Sequence, residues 1–272
     1  MNIGLLSPGE MGSALAQQLW SRGHAVAWAS EGRSAASAAR AQAQGLRDCG
    51  SLAQLCAQVD TLLVVAPPHA ALDIATRVAD CGFKGLYIEA NAIAPDTLAE
   101  IVRCLQPGGA RVLDAALVGP PPKAGQAAPT QLLLAGPDAA ALAPLLETPV
   151  LLPTVLGAEP GAASTLKLLH SALNKLPLAL ELWAWALAGR AGLSPELQAL
   201  LADRPAAASA LSDPARRQRL AAKAWRFAGE MTELAQLAQA LGEDPQPAQG
   251  GARAFEQWVA AAARQQSEGA SA

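Results

Sequence analysis

The feature that most constrains this chain is the turn Ser7-Pro8-Gly9-Glu10-Met11-Gly12, set between the apolar run Asn2-Ile3-Gly4-Leu5-Leu6 and a helical pattern. A strand that passes through glycines straight into a helix is the entry to a βαβ unit. Set against G-x-G-x-x-G, the turn keeps the second and third glycines and has Ser7 in the first place. A glycine at the second position lets the backbone approach a pyrophosphate, and one at the third lets helix pack closely on strand. The helix start adds amide donors and partial positive charge. Ser7, Pro8, Gly9, Glu10, Met11 and Gly12 are therefore the expected cradle of a dinucleotide; the alternative is an ordinary tight strand–helix turn.

The pattern around this turn continues in the same style. Strands are predicted at 2–6, 25–29, 46–48, 61–66, 86–90, 111–114, 131–135 and 150–152. They are near-continuous apolar runs, as expected where helices cover both faces of a parallel sheet. Helices are predicted at 11–22, ending at Gly23, and at 34–44, ending at Gly45. Ser51 is the expected cap of 52–58, and Pro95 opens a helix to 104. After about residue 157 the strand signals stop. A long helix is expected over 162–188 with a kink at Pro177. Others are expected at 195–202, 205–211, 214–241 (broken near Gly229) and 253–266, with a polar tail fraying from Ser267. The fold class is α/β: a Rossmann-type doubly wound parallel sheet over 1–157, then an all-α domain over 158–272.

Composition narrows the function classes. The 272 residues are 51% hydrophobic and 4% aromatic, which suggests close-packed alanine- and leucine-rich helices. Twenty Lys+Arg against 23 Asp+Glu leave a net charge of -3, so nucleic acid is not an expected partner. No apolar stretch approaches the roughly 18 residues needed to cross a bilayer, and no membrane partner is expected. No basic n-region precedes the first strand, so a secretory leader is not expected. Cys49, Cys56, Cys81 and Cys104 form no C-x-x-C pair and no metal-ligand spacing with the histidines, and read as buried free thiols. A cytoplasmic location and no bound metal are the expectations.

Two further sites carry chemistry. Where an acidic residue at the end of the second strand would hold the ribose 2′-hydroxyl of NAD, this chain reads Ser30-Glu31-Gly32-Arg33-Ser34. Ser30 takes the acidic position, while Arg33 and Ser34 offer a guanidinium fork and a hydroxyl to a 2′-phosphate. NADP (NADPH) rather than NAD is the expected cofactor, with a surface pair between Arg33 and Glu31 as the alternative. On the long helix, Lys167 and Asn174 lie within about 20° of each other, with His170 and Ser171 between them. Such a polar stripe faces solvent, pairing with Glu159 or Glu181, or it faces a site. In a site, Lys167 is the natural general acid/base, since a lysine kept from water beside a cofactor exchanges its proton more readily. His170 or Asn174 would orient the substrate oxygen.

Together these motifs resemble the β-hydroxyacid dehydrogenase and 6-phosphogluconate dehydrogenase superfamily. Ser7–Gly12 is similar to its G-x-G-x-M-G opening, Gly23-His24 to its Gly-His pair, and Asp114-Ala115-Ala116-Leu117-Val118-Gly119-Pro120 to part of its substrate loop. Gly161-Ala162-Ala163-Ser164-Thr165-Leu166-Lys167 resembles its G-x-G-x-x-x-K motif and keeps the lysine. Lys167-Leu168-Leu169-His170-Ser171 is similar to the Lys-Met-Val-His-Asn run of phosphogluconate dehydrogenases. A short-chain subgroup shares Ser7–Gly12, Glu31–Ser34 and Ala224–Met231. The resemblance implies a cofactor also met by Ala66, Pro67 and Asn91, and a substrate met by Val118, Gly119, Ser171, Trp225 and Glu230. It also implies a homodimer built through the helical domain. For Trp225 and Trp183 the alternative is core or dimer packing. Val118 and Ser171 replace the family's serine and asparagine, which hold a carboxylate-bearing substrate. A less polar small molecule, a larger alcohol, ketone or imine, is therefore expected instead of a simple 3-hydroxy acid or a sugar phosphate. The expected function is NADP-dependent hydride transfer between the nicotinamide and a hydroxyl or carbonyl carbon. The alternatives are an imine reductase on the same fold and a catalytically decayed NADP-binding sensor.

Overall fold

A computed structural model describes residues 1–202 and 214–269. The chain divides into two compact units, Met1–Lys167 and Leu168–Ala272. In the first, strands β1 (Asn2–Leu6), β2 (Ala25–Trp28), β3 (Arg47–Asp48), β4 (Thr61–Val64), β5 (Leu86–Glu89), β6 (Arg111–Val118), β7 (Thr130–Ala135) and β8 (Leu151–Val155) form one sheet. Its order is β3-β2-β1-β4-β5-β6-β7-β8. Every neighbouring pair is parallel except β6 and β7. Residues 119–129 are too short a connection to carry a crossover helix, so β7 returns antiparallel. β6 is longer than predicted, because Ala115–Val118 pair with β7 after the pairing with β5 has ended at Asp114.

The continuous apolar runs are explained by burial on both faces. Leu63 and Ile88 point to one side, with Leu15 and Leu19 of α1 (Glu10–Ser21) and Leu142 of α6 (Ala139–Leu146). Leu62, Val64 and Tyr87 point to the other, against α3 (Leu52–Gln58), α4 (Ala71–Asp80) and α5 (Pro95–Leu105). The helix starts follow local chemistry. Ser34 caps α2 (Ala35–Ala43), and Ser51 makes a capping box with Gln54 at α3. Neither α4 nor α6 is predicted from its short alanine-rich pattern, and no side chain makes a capping hydrogen bond at either start.

The long helix α7 (Ala162–Ala191) contains Pro177 and continues into the second unit. There α8 (Ser194–Ala202), α9 (Pro214–Ala221), α10 (Ala224–Ala240) and α11 (Gln246–Gly269) follow. The predicted helix over 214–241 is interrupted at residues 222–223 and not at Gly229, which lies inside α10. α11 starts earlier than expected and runs to Gly269, past Ser267. The predicted helix at 205–211 lies outside the described residues. Within this unit Phe227 and Phe255 meet edge to face at 5.4 Å. Gly251 lets α11 close on α7 and α10: a Cβ there would stand 2.9 Å from Leu176 Cδ2 and 3.5 Å from Met231. Among the described residues no helix is long and apolar enough to cross a membrane.

Gly85 shows how tightly the sheet is laid. A Cβ there would lie 2.2 Å from the Asp60 carbonyl oxygen, which accepts the Leu86 amide, and 2.6 Å from the Phe83 ring. Gly85→Ala is expected to cost about 1–3 kcal/mol of overpacking strain. A thermal melt should show Tm lowered by several degrees, at roughly 2–4 °C per kcal/mol; an unchanged Tm would mean that the strand start can shift freely.

Candidate functional site

β1 lies between β2 and β4 in the sheet, so the chain reverses its direction of winding at the carboxyl end of β1. In open α/β sheets that crevice is where ligands bind. The turn 7–12 leaves β1 at this point. Ser7 has φ 76°, the left-handed conformation that the motif's first glycine would take, and among the described residues it is the only non-glycine with positive φ. The Gly9 amide donates to the Ser7 carbonyl at 2.8 Å, closing the turn. A Cβ on Gly12 would stand 2.6 Å from the Ser7 carbonyl oxygen, so glycine is required there for the helix to sit on the strand. A Cβ on Gly9 would meet nothing within 4 Å. The amides at the start of α1 thus border open space, and no side chain caps them.

The surroundings of the turn are basic. Arg33 Nη1 donates to Ser7 Oγ at 3.2 Å, and Arg40 Nε donates to the Pro8 carbonyl at 2.9 Å. A small pocket is lined by Leu6, Ala29, Glu31, Arg33, Ile74 and Arg77, with Leu52 beside them. Burial, and then the neighbouring Arg77 guanidinium, hold Arg33 below the usual arginine range. Ser34 is engaged in capping α2, where its Oγ accepts from the Ser37 amide. The Ser30 amide donates to Asp48 Oδ1 at 3.2 Å, and that carboxyl is held below the usual range by the Gly50 amide and by Ser30. On the other side of the crevice, Asn91 Oδ1 accepts from the Ala66 amide and the Asn91 amide donates to Glu89 Oε1 at 2.9 Å. Asn91 is 2% exposed, and its Nδ2 has no hydrogen-bond partner. Pro67 follows Ala66 and starts a 3-10 turn.

Residues 2–148 match the family described as the NAD binding domain of 6-phosphogluconate dehydrogenase. The chain belongs to that family. It is a member of the β-hydroxyacid dehydrogenase-like superfamily, and its first unit is the nicotinamide-dinucleotide-binding domain of an oxidoreductase lineage. Residues 188–258 match a second family, described as a domain of unknown function (DUF1932). A curated relative, an uncharacterized 28.5 kDa protein of Methanothermus fervidus, is 27% identical over 201 residues, 74% of this chain and 76% of its own. A solved structure of a conserved protein, described as structurally similar to 3-hydroxyacid dehydrogenases, is 27% identical with a TM-score of 0.64, over 95% of this chain and 96% of its own. A 3-hydroxyisobutyrate dehydrogenase from Salmonella typhimurium shares the fold at 21% identity and a TM-score of 0.70, over 97% and 95% of the two chains.

The residues of the first unit fit such a cofactor. The space in front of Gly9, the unpartnered Asn91 Nδ2 and the Arg33 guanidinium could together hold a pyrophosphate, a ribose and a further anion. Sequence reasoning missed Arg40 and Arg77, whose only signal is a basic residue on a helix face, and it missed the part played by Asp114.

Asp114 is fully buried in β6 and organises the start of α7. Its Oδ2 accepts from the Gly161 amide at 2.8 Å and the Ala163 amide at 2.9 Å, and its Oδ1 accepts from Ser164 Oγ at 2.6 Å and the Ser164 amide at 3.2 Å. Burial pushes this carboxyl above the usual range, against the pull of the Ser164, Gly161 and Ala163 donors. Gly161 makes the approach possible by taking φ 104°. Lys167, partly buried, follows Ser164 by one turn. Val118 packs against the buried cluster of Ala116, Leu133, Ala135 and Ala163, and Gly119, with φ 124°, opens the β6–β7 connection.

In the second unit the polar stripe of α7 divides. Ser171 is buried and its Oγ donates to Glu230 Oε2 at 2.7 Å; Lys175 Nζ also pairs with Glu230 and lies 5.0 Å from the centre of the Phe227 ring. His170 and Asn174 are exposed, and Asn174 Nδ2 donates to the His170 carbonyl at 2.7 Å. Trp225 is half-exposed.

Asp114→Ala leaves three backbone amides and one hydroxyl without their acceptor in a dry site. A loss of about 3 kcal/mol or more in urea unfolding is expected, with Asp114→Asn milder because it keeps an acceptor oxygen. Wild-type stability in Asp114→Ala would show that water replaces the carboxylate at no cost.

Proposed function

We propose that the protein is an NADP-dependent oxidoreductase moving hydride between the nicotinamide and a hydroxyl or carbonyl carbon of a small organic substrate, with Lys167 as general acid/base. The observation that carries this reading is the anchoring of α7 by Asp114, which fixes the helix one turn before Lys167. A lysine that moves a proton during catalysis needs such a rigid mount, since misplacement of the reacting groups by about 1 Å costs about a hundredfold in rate.

When bound, the nicotinamide supplies or accepts hydride at C4 of its ring. The chain's own residues do the rest. The amides that open α1 would hold the pyrophosphate, and Asn91 would be the donor toward the nicotinamide-side ribose, with Ala66 and Pro67 beside it. Arg33, with Ser30 and Ser34 near it, would meet the 2′-phosphate. Lys167 Nζ gives its proton to the carbonyl oxygen as the carbon is reduced, or takes the hydroxyl proton as it is oxidised. His170 and Asn174 orient that oxygen. Val118, Gly119 and Trp225 favour a substrate with apolar bulk. Ser171 and Glu230 are tied to each other and to Lys175, so their part is to hold the helix face in place.

The reading includes a homodimer through the helical domain. Leu173, Leu180 and Leu187 recur every seven residues along α7 and are 80%, 66% and 46% exposed, with Trp183 at 61%. A heptad-spaced apolar face of this kind is what a second copy would cover.

The test is kinetic. On a panel of alcohols, ketones and cyclic imines followed at the NADPH absorbance, Lys167→Ala should lower kcat by about a hundredfold or more while NADPH affinity stays within about twofold. Ketone turnover that survives the change would remove the role given to Lys167. Selective turnover of imines would place the substrate on the C=N side.

A further inference from the structure

The small pocket between the ends of β1 and β2 and the helices α3 and α4 is lined by two neighbouring arginines. Arg33 comes from the loop after β2 and Arg77 from the last turn of α4. Arg33 is half-buried and Arg77 is exposed; like charges side by side repel, and proteins normally put a carboxylate between them. None of the ion pairs among the described residues involves Arg33, Arg77 or Glu31, although Glu31 lines the same pocket. Arg33 is turned toward the cofactor turn by its bond to Ser7 Oγ. The remaining walls, Leu6, Ala29, Leu52 and Ile74, are apolar and suit the flat face of a purine. A pocket with apolar sides and two guanidiniums, neither of them in an ion pair with the Glu31 carboxylate, suits an aromatic ring that carries an anion.

We propose that Arg77 is a second specificity-determining residue of this site, acting with Arg33 as a two-arginine clamp on the 2′-phosphate of NADP. The inference rests on the NADP reading above and adds a residue from α4, an element outside the β2 loop that the glycine motif leads to. A phosphate ester near neutral pH carries between one and two negative charges, which one guanidinium only partly neutralises. A second guanidinium matches the dianion and removes the repulsion between the arginines once the anion is in place. With NAD that repulsion is unrelieved, so Arg77 would discriminate in two ways: it attracts the 2′-phosphate and it disfavours the cofactor that lacks one.

The experiment uses the full-length chain and isothermal titration with four probes: NADPH, NADH, adenosine 2′,5′-bisphosphate and adenosine 5′-monophosphate. Wild type should bind the two 2′-phosphorylated probes more tightly than their partners. Arg77→Ala should weaken them by roughly tenfold to a hundredfold while changing NADH and adenosine 5′-monophosphate by less than about threefold, and Arg77→Lys should recover part of the loss. Far-ultraviolet circular dichroism and Tm of each variant confirm that the fold is kept. An equal loss on all four probes would overturn the proposal in favour of Arg77 packing on the purine ring. Wild type that binds NADH as tightly as NADPH would overturn the NADP reading itself. Wild type that prefers NADPH, with the preference abolished by Arg33→Ala but untouched by Arg77→Ala, would overturn only the role given to Arg77.

Discussion

A single carboxylate sets the geometry of the first unit beyond the glycine turn. Asp114 sits where β6 leaves its parallel pairing with β5 and begins its antiparallel pairing with β7, and from there it takes the opening donors of α7. The apolar contacts at this junction are small. Ala116, Ala135 and Ala163 are most of the buried cluster, with Leu133 the one bulky member. At about 25 cal/mol per Å2, alanine faces offer little energy with which to fix a helix rotation, since sliding one small residue past another changes the buried area only slightly. Four directed hydrogen bonds to one carboxylate do fix it. At this junction, where the buried cluster is mostly alanine, the polar anchor does what large side chains do elsewhere in the core.

Local features of this chain are legible in its sequence, and contacts between distant residues are not. The eight strands and the first helices follow from apolar runs and caps, signals that are local in the chain. β7 running antiparallel was not legible, because a strand's direction depends on the connection that precedes it and not on its own residues. The break at residues 222–223 was misplaced at Gly229, because a glycine inside a helix costs only about 1 kcal/mol and packing of α10 against α11 overrides it. Asp114 is visible as an acid in the run Arg111-Val112-Leu113-Asp114-Ala115-Ala116, yet the sequence cannot say which donors, 47 or more residues away, it will meet. Arg77 was hidden for a related reason. Its helix was not predicted, and a lone arginine on a short helix reads as solvated until the fold places it in one pocket with Arg33.

Ser7 explains why the departure from the glycine pattern is tolerated. A non-glycine residue in the left-handed region costs roughly 1–2 kcal/mol. In return its hydroxyl accepts a hydrogen bond from Arg33, and bonds to a charged group contribute about 1.5–3 kcal/mol. Glycine at that position would relieve the strain and lose the bond. The serine couples two parts of the crevice that are otherwise separate: the turn whose amides face open space at Gly9, and the guanidinium at the end of β2. Because the net charge of the chain is only -3, no broad field draws an anion to the crevice. Attraction has to be local, from helix-start amides and a few arginines held at fixed spacing. A strained serine that fixes one of those arginines relative to the turn is a direct way to hold that spacing.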